Sequence, residues 1–269
     1  MYFYSEKLPL ILDREFVHTV TNFYSSDSSD IYKKNLATHG KSWKYYNDPI
    51  EYRFNSLGYR TKEISDLSTD FILTFGCSYT EGVGLHQTDV WPEQLSNEMG
   101  IDLYNAAKQA SGMDFQFLNA MRWNASNSPL PKMVIVQWPH KSRKRFATTQ
   151  ENDELGLSDE SYQKTIDGKW WTKRYVVDTG EMHLNVLSYF EGFNNLWNLR
   201  NVPVLNFSWD SDLEEHLTSS MYKLHHIDCY PENQTLKARD GSHDGDEIHS
   251  MTTQKLKKII NLGGFTFKV

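Results

Sequence analysis

"FILTFGCSYTEGVG", residues 71–84, is the stretch whose reading decides the fold. Its first part, "FILTF" (71–75), is an unbroken apolar run, the pattern of a strand buried on both faces. The chain then leaves through Gly76, Cys77 and Ser78, and Gly82 and Gly84 follow closely. Small residues at a strand end mark a sharp turn, or a backbone that something must approach. A serine at the top of such a turn is a nucleophile, a helix cap or a plain turn residue.

Working outward, the same alternation recurs. "VWPEQLSNEMG" (90–100) reads as a helix, with Pro92 in its first turn and Gly100 as its stop. "IDLYNAA" (101–107) is a second strand, and Phe115, Leu118, Met121 and Ala125 fall at helical spacing after it. "MVIVQW" (133–138) is a third strand, and "VPVLNFS" (202–208) a fourth. Leu187, Phe190, Phe193 and Trp197 form a helical stripe, as do Ile248, Met251, Leu256 and Ile259. Strands alternating with helices imply a three-layer α/β/α sandwich on a central parallel sheet. Residues 69–269 are read as that domain. Residues 1–68 are read as an irregular, aromatic-rich N-terminal extension packed on it, with "SSDSSD" (25–30) a brief polar loop. The charged stretch 141–183, with Trp170 and Trp171, is read as an insertion over one end of the sheet.

Composition narrows the partners. The formal net charge of −7 argues against nucleic acid, and the short basic cluster "HKSRKRF" (140–146) reads as a solvated loop. No apolar run approaches the ~20 residues of a membrane helix, and the first residues lack a basic n-region and cleavage site. Cys77 and Cys229 make no disulfide framework, so a reducing cytoplasm is expected. The 15 Tyr, 14 Phe and 8 Trp suit a large core and also a carbohydrate-facing cleft.

Ligands of parallel sheets bind beyond the carboxyl ends of the strands, which directs attention to the residues that follow each one. These are Ser78, then Ser111 and Gly112, then Pro139 and His140, and a late loop, "DGSH" (240–243). A serine hydroxyl needs a base within hydrogen-bond reach, and the base needs an orienting partner. The three-residue spacing of Asp240 and His243 can set a carboxylate beside imidazole Nδ1 while Nε2 faces the serine.

These blocks carry a resemblance. "FGCSYTEGVG" resembles the first block of the SGNH (GDSL-like) hydrolases, "NAAKQASGMD" (105–114) the second, and D-x-x-H at 240–243 the last. "FNSLGYR" (54–60) is similar to a segment that often precedes the serine strand in bacterial and phage members. The resemblance implies a flavodoxin-like sheet and a catalytic triad of Ser78, His243 and Asp240. It also implies an oxyanion hole using the amides of Ser78 and Gly112. The third block departs from the family, which places Gly-x-Asn-Asp after the third strand; this chain reads "VQWPHKSR" (136–143). His140 falls nearest the missing asparagine and is the expected substitute donor, with Gln137 and Ser142 also within range; Trp138 is expected as a substrate-binding wall.

The expected activity is hydrolysis of an ester through an acyl-serine, on a short acyl or acetyl group carried by a small molecule or glycan. A non-catalytic glycan-binding module and an O-acetyltransferase are the alternatives. The base must be neutral to act, so activity should fall below the ordinary histidine range, ~6.5. No cofactor is expected. A calcium reading of "DGSHDGDEIHSM" (240–251) fails because Met251 stands where the bidentate glutamate belongs. A zinc reading of "HHIDC" (225–229) lacks a second ligand pair.

Overall fold

A computed structural model describes residues 2–3, 8–141, 143, 145–149, 155–159, 179–229 and 237–263. Its centre is a parallel sheet of five strands: β1 (Phe71–Phe75), β2 (Asp102–Asn105), β3 (Met133–Gln137), β4 (Val204–Ser208) and β5 (Leu224–His226). Their order across the sheet is β5-β4-β3-β1-β2, the doubly wound order 2-1-3-4-5 of flavodoxin-like folds. The chain therefore switches direction between β1 and β3, where ligands of such sheets bind.

Each side chain's face follows from the two-residue period of a strand. Phe71, Leu73 and Phe75 of β1, with Val134 and Val136 of β3, pack with Trp123, Phe190, Phe193 and Trp197. Ile72, Met133 and Ile135 point the other way, toward Trp91, Leu95, Ile248 and Leu256. The helices on the two faces are those the periodicity anticipates. The helices α3 (Trp91–Met99) and α6 (Asp246–Asn261) cover one face, while α4 (Met113–Ala125) and α5 (Thr179–Asn198) cover the other. Gly100 ends α3 in the left-handed region at φ 62, as a C-terminal glycine should. Within the stripes, Met121 and Met251 turn out to be exposed, so in each helix the buried face is narrower than the spacing suggests.

The structure corrects three readings at the periphery. The N-terminal residues are not irregular throughout. Ser28 accepts a hydrogen bond from Ile31 N and caps α1 (Ser29–His39), and Val20–Thr21 pairs antiparallel with Tyr52–Arg53. The stretch 141–183 ends earlier than expected, because α5 already begins at Thr179. It also contains an antiparallel hairpin, Arg145–Thr149 with Leu155–Asp159, whose second strand pairs with Tyr2–Phe3. Trp170, Trp171 and Ser142 lie outside the described residues. Among the described residues no helix is long and apolar enough to cross a membrane.

The N-terminal residues bury their aromatic side chains against the sheet domain. Leu10, Leu57 and Tyr59 join the main core, and Tyr24, Tyr45, Tyr52 and Phe54 form a second cluster with Val83, Leu85 and Ala238. At the seam the fully buried Lys108 ammonium reaches Asp13 at 2.8 Å, Glu81 at 3.3 Å and the Gly58 carbonyl at 2.7 Å. Rings of Phe16, Tyr24, Phe54 and Tyr59 stand 5.0–5.7 Å from it. A buried charge is tolerated when it is paired and hydrogen-bonded in this way.

Candidate active site

The turn after β1 is built around one contact. Thr80 folds back and donates its hydroxyl to Gln137 Oε1 at 2.6 Å. A methyl at Gly76 would stand 2.0 Å from that hydroxyl oxygen, so only glycine allows the turn to close. Closure puts Ser78 at the first position of a one-turn helix, α2 (Ser78–Glu81), where its amide has no intrahelical acceptor. Ser78 is 5% exposed.

The late loop reaches the same point from the other end of the chain. His243 Nε2 lies 2.8 Å from Ser78 Oγ, and His243 Nδ1 lies 2.6 Å from Asp240 Oδ2. The three groups thus stand in a row. Asp240 accepts more than the imidazole N–H. Its Oδ1 takes the backbone N–H groups of Ser242 and His243, each at 3.0 Å. Its Oδ2 takes the hydroxyls of Ser242 at 2.5 Å and of Ser26 at 2.7 Å. Burial works against the charge of Asp240, but the hydrogen bond and charge of His243, with the two hydroxyls, outweigh it. The carboxyl is held below its usual range and stays anionic.

The ring of Tyr79 packs on His243 with centroids 4.9 Å apart, and the ring of Trp209 meets Tyr79 edge-on at 5.2 Å. Burial, followed by the charges of Asp244 and Cys77, pushes the Tyr79 phenol up to about 12. Gly112 caps α4. The carbonyl of Arg143 passes so close that a methyl on Gly112 would stand 2.3 Å from it.

Two expected residues stand elsewhere. Trp138 is 1% exposed, donates its indole N–H to Asn206 at 3.0 Å and packs on Phe190 and Phe193. It belongs to the core and lines no cleft, because the strand period turns it inward. His140 is exposed, with its Nε2 3.8 Å from the Asp210 carboxylate. Asp210 belongs to the segment after β4. Gln137 is buried, and its carbonyl oxygen is already taken by Thr80. Among the described residues no group of three or more His, Cys, Asp or Glu side chains is arranged to hold a metal.

Sequence reasoning passed over the groups that fix the late loop. Arg239 pairs with Asp27, Nη2 to Oδ2 at 2.6 Å and Nε to Oδ1 at 3.0 Å, both side chains being almost wholly buried. Tyr52 donates its hydroxyl to the same carboxylate at 2.5 Å. Asn35 on α1 holds the Arg239 carbonyl at 2.9 Å, and the Arg239 N–H reaches Gly84 O at 2.9 Å. No local pattern marks Ser26 or Asp27. The only signal is the charged Arg239 beside the D-x-x-H block, which names no partner.

No protein-family model and no curated protein sequence matches the chain. Among solved structures it is similar to a carbohydrate esterase whose active site displays divergent catalytic and non-catalytic binding functions. That match has 11% identity and a TM-score of 0.45, over 72% of this chain and 65% of that one. The chain thus spans just under two thirds of that esterase's length. It is also similar to TesA, at 10% identity and a TM-score of 0.46 over 71% of this chain and 98% of that one. A third likeness is to the acetyl xylan esterase Est2A from the rumen bacterium Butyrivibrio proteoclasticus. There the identity is 11% and the TM-score 0.45, over 81% and 67% of the two chains. The fold is a three-layer α/β/α sandwich on a five-stranded parallel sheet in the flavodoxin-like order. Ser78 follows β1 and Gly112 follows β2, both beyond the carboxyl edge of the sheet.

Proposed function

We propose that this chain is a serine esterase that works through an acyl-serine intermediate. The supporting observation is the unbroken row from Ser78 Oγ to His243 Nε2 at 2.8 Å and from His243 Nδ1 to Asp240 Oδ2 at 2.6 Å. Ser78 Oγ attacks the acyl carbon while His243 Nε2 takes its proton. Asp240 holds the imidazole with Nδ1 protonated and stabilises the imidazolium. The oxyanion is received by the amides of Ser78 and Gly112. His243 then gives its proton to the leaving alcohol, and next draws one from water, whose oxygen attacks the acyl carbon and frees Ser78.

The near-burial of Ser78 and the rings of Tyr79 and Trp209 beside it favour a short acyl group, acetyl in the first instance. The rings of Tyr79 and Trp209 beside His243 suit a carbohydrate alcohol. When an alcohol replaces water in the second half, the same steps transfer the acyl group.

The test is turnover of 4-nitrophenyl acetate together with labelling by a fluorophosphonate. Ser78→Ala should abolish both, a loss on the order of 10⁶-fold in kcat, with circular dichroism and Tm unchanged. Turnover by Ser78→Ala equal to that of the wild type would remove Ser78 from the chemistry. A wild-type chain that neither turns over nor labels is a binding module.

A further inference from the structure

We propose that Ser26, contributed by the N-terminal residues, is a positioning residue for the acid–base pair of the late loop. The inference rests on the acyl-serine reading above and adds a group to it. Ser26 Oγ donates to Asp240 Oδ2 at 2.7 Å, the oxygen that also receives His243 Nδ1, and lies 3.4 Å from Nδ1 itself. It therefore sits in the angle between carboxylate and imidazole, touching both.

Its place there is fixed independently of the late loop's own turn. Asp27, the next residue, is locked to Arg239, the residue before Asp240. Tyr24 and Asp27 exchange backbone hydrogen bonds at 3.0 and 3.1 Å around Ser25 and Ser26, and Ser28 begins α1 as its cap. Two adjacent residues of one segment thus bind two adjacent residues of the other. This register leaves the Ser26 hydroxyl one partner of choice, the Asp240 carboxylate.

The consequence for the reaction follows from charge. A hydroxyl donating to a carboxylate draws off part of its negative potential and limits the directions in which it can turn. Ser242 shares this task from within the loop. The other titratable groups around His243 are Tyr79 on α2 and His249 on α6, with Asp244 and Arg143 beyond Tyr79. Without Ser26, Oδ2 faces the imidazole with only Ser242 to share it. The imidazolium is then held more strongly and the ring is oriented less firmly. Labelling of Ser78 should slow, and its pH dependence should move upward.

The experiment measures the rate of Ser78 labelling by a fluorophosphonate across pH 5 to 9, which needs no knowledge of the natural ester. Ser26→Ala should label roughly tenfold more slowly, with the half-maximal pH raised by roughly half a unit. Ser26→Thr, which keeps the hydroxyl, should restore both. An unchanged rate and pH dependence in Ser26→Ala overturns the proposal. So does a lower plateau with an unmoved half-maximal pH, the mark of a loosened structure alone. If the wild type itself does not label, the acyl-serine reading fails and the His243 titration followed by NMR decides separately. An upward move of that midpoint in Ser26→Ala supports the hydrogen-bond role, and an unmoved midpoint overturns it.

Discussion

At Gly112 the room for a side chain is already occupied. The Arg143 carbonyl approaches within 2.3 Å of where a methyl would be, so Gly112→Ala must displace the 139–143 segment or the start of α4. Labelling of Ser78 should fall on the order of 10²-fold, as when one oxyanion donor is lost, while binding of a product sugar or carboxylate changes little. Since alanine keeps the N–H, a wild-type labelling rate in Gly112→Ala would show that the close approach of Arg143 is not needed to place that amide. Asp240→Asn should reduce kcat by roughly 10⁴-fold through the wrong imidazole tautomer, read as turnover of 4-nitrophenyl acetate. The row of Ser78, His243 and Asp240 was legible as a candidate because a strand end and the D-x-x-H spacing announce its members. Ser26 was not, because its partner is 214 positions away and its own surroundings are only polar. Trp138 misled for the opposite reason. It stands at a strand end, where cleft residues are found, but its parity along β3 points it into the core.

Among the elements, the seam between the N-terminal residues and the late loop concentrates buried charge. Asp27→Asn leaves the Arg239 guanidinium in the interior without its counter-charge. Breaking such a pair costs about 3–5 kcal/mol, which urea unfolding would read as a lower midpoint at an unchanged slope. Replacing both partners by apolar residues of similar size should cost far less, and an equal cost for the single and double variants would contradict this account. β1 was legible from a continuous apolar run, β2, β3 and β4 from shorter apolar segments at helix-separated spacing, and the helices from their 3.6-residue stripes. β5 (Leu224–His226) was not, being an edge strand of three residues with two histidines. Nor was α1, none of whose residues is buried; with no apolar stripe to read, its only local sign was the Ser28 cap.

Over the whole molecule, acid should weaken the fold through groups away from the reaction. His249 is fully buried and accepts the Trp91 N–H on Nδ1 at 3.1 Å, so it must remain neutral. Burial, with the charge of His243 beside it, pushes it from 6.5 down to about 3. The unfolded chain binds a proton at this residue between those values and the folded chain refuses it, so stability rises with pH across that window. Tm should fall steadily as pH is lowered from about 6.5 toward 4, and His249→Gln should flatten the slope; parallel slopes would contradict the assignment. Asp240 acts in the same sense at lower pH, since its depressed ionisation stabilises the fold until acid protonates it. The clamp of Ser26 and Asp27 on Arg239 and Asp240 also has a consequence for biosynthesis. On the ribosome the first pair emerges long before the second, with the nucleophile between them. The row of hydroxyl, imidazole and carboxylate therefore forms only after the late loop, whose His243 lies 165 residues after Ser78, has left the ribosome.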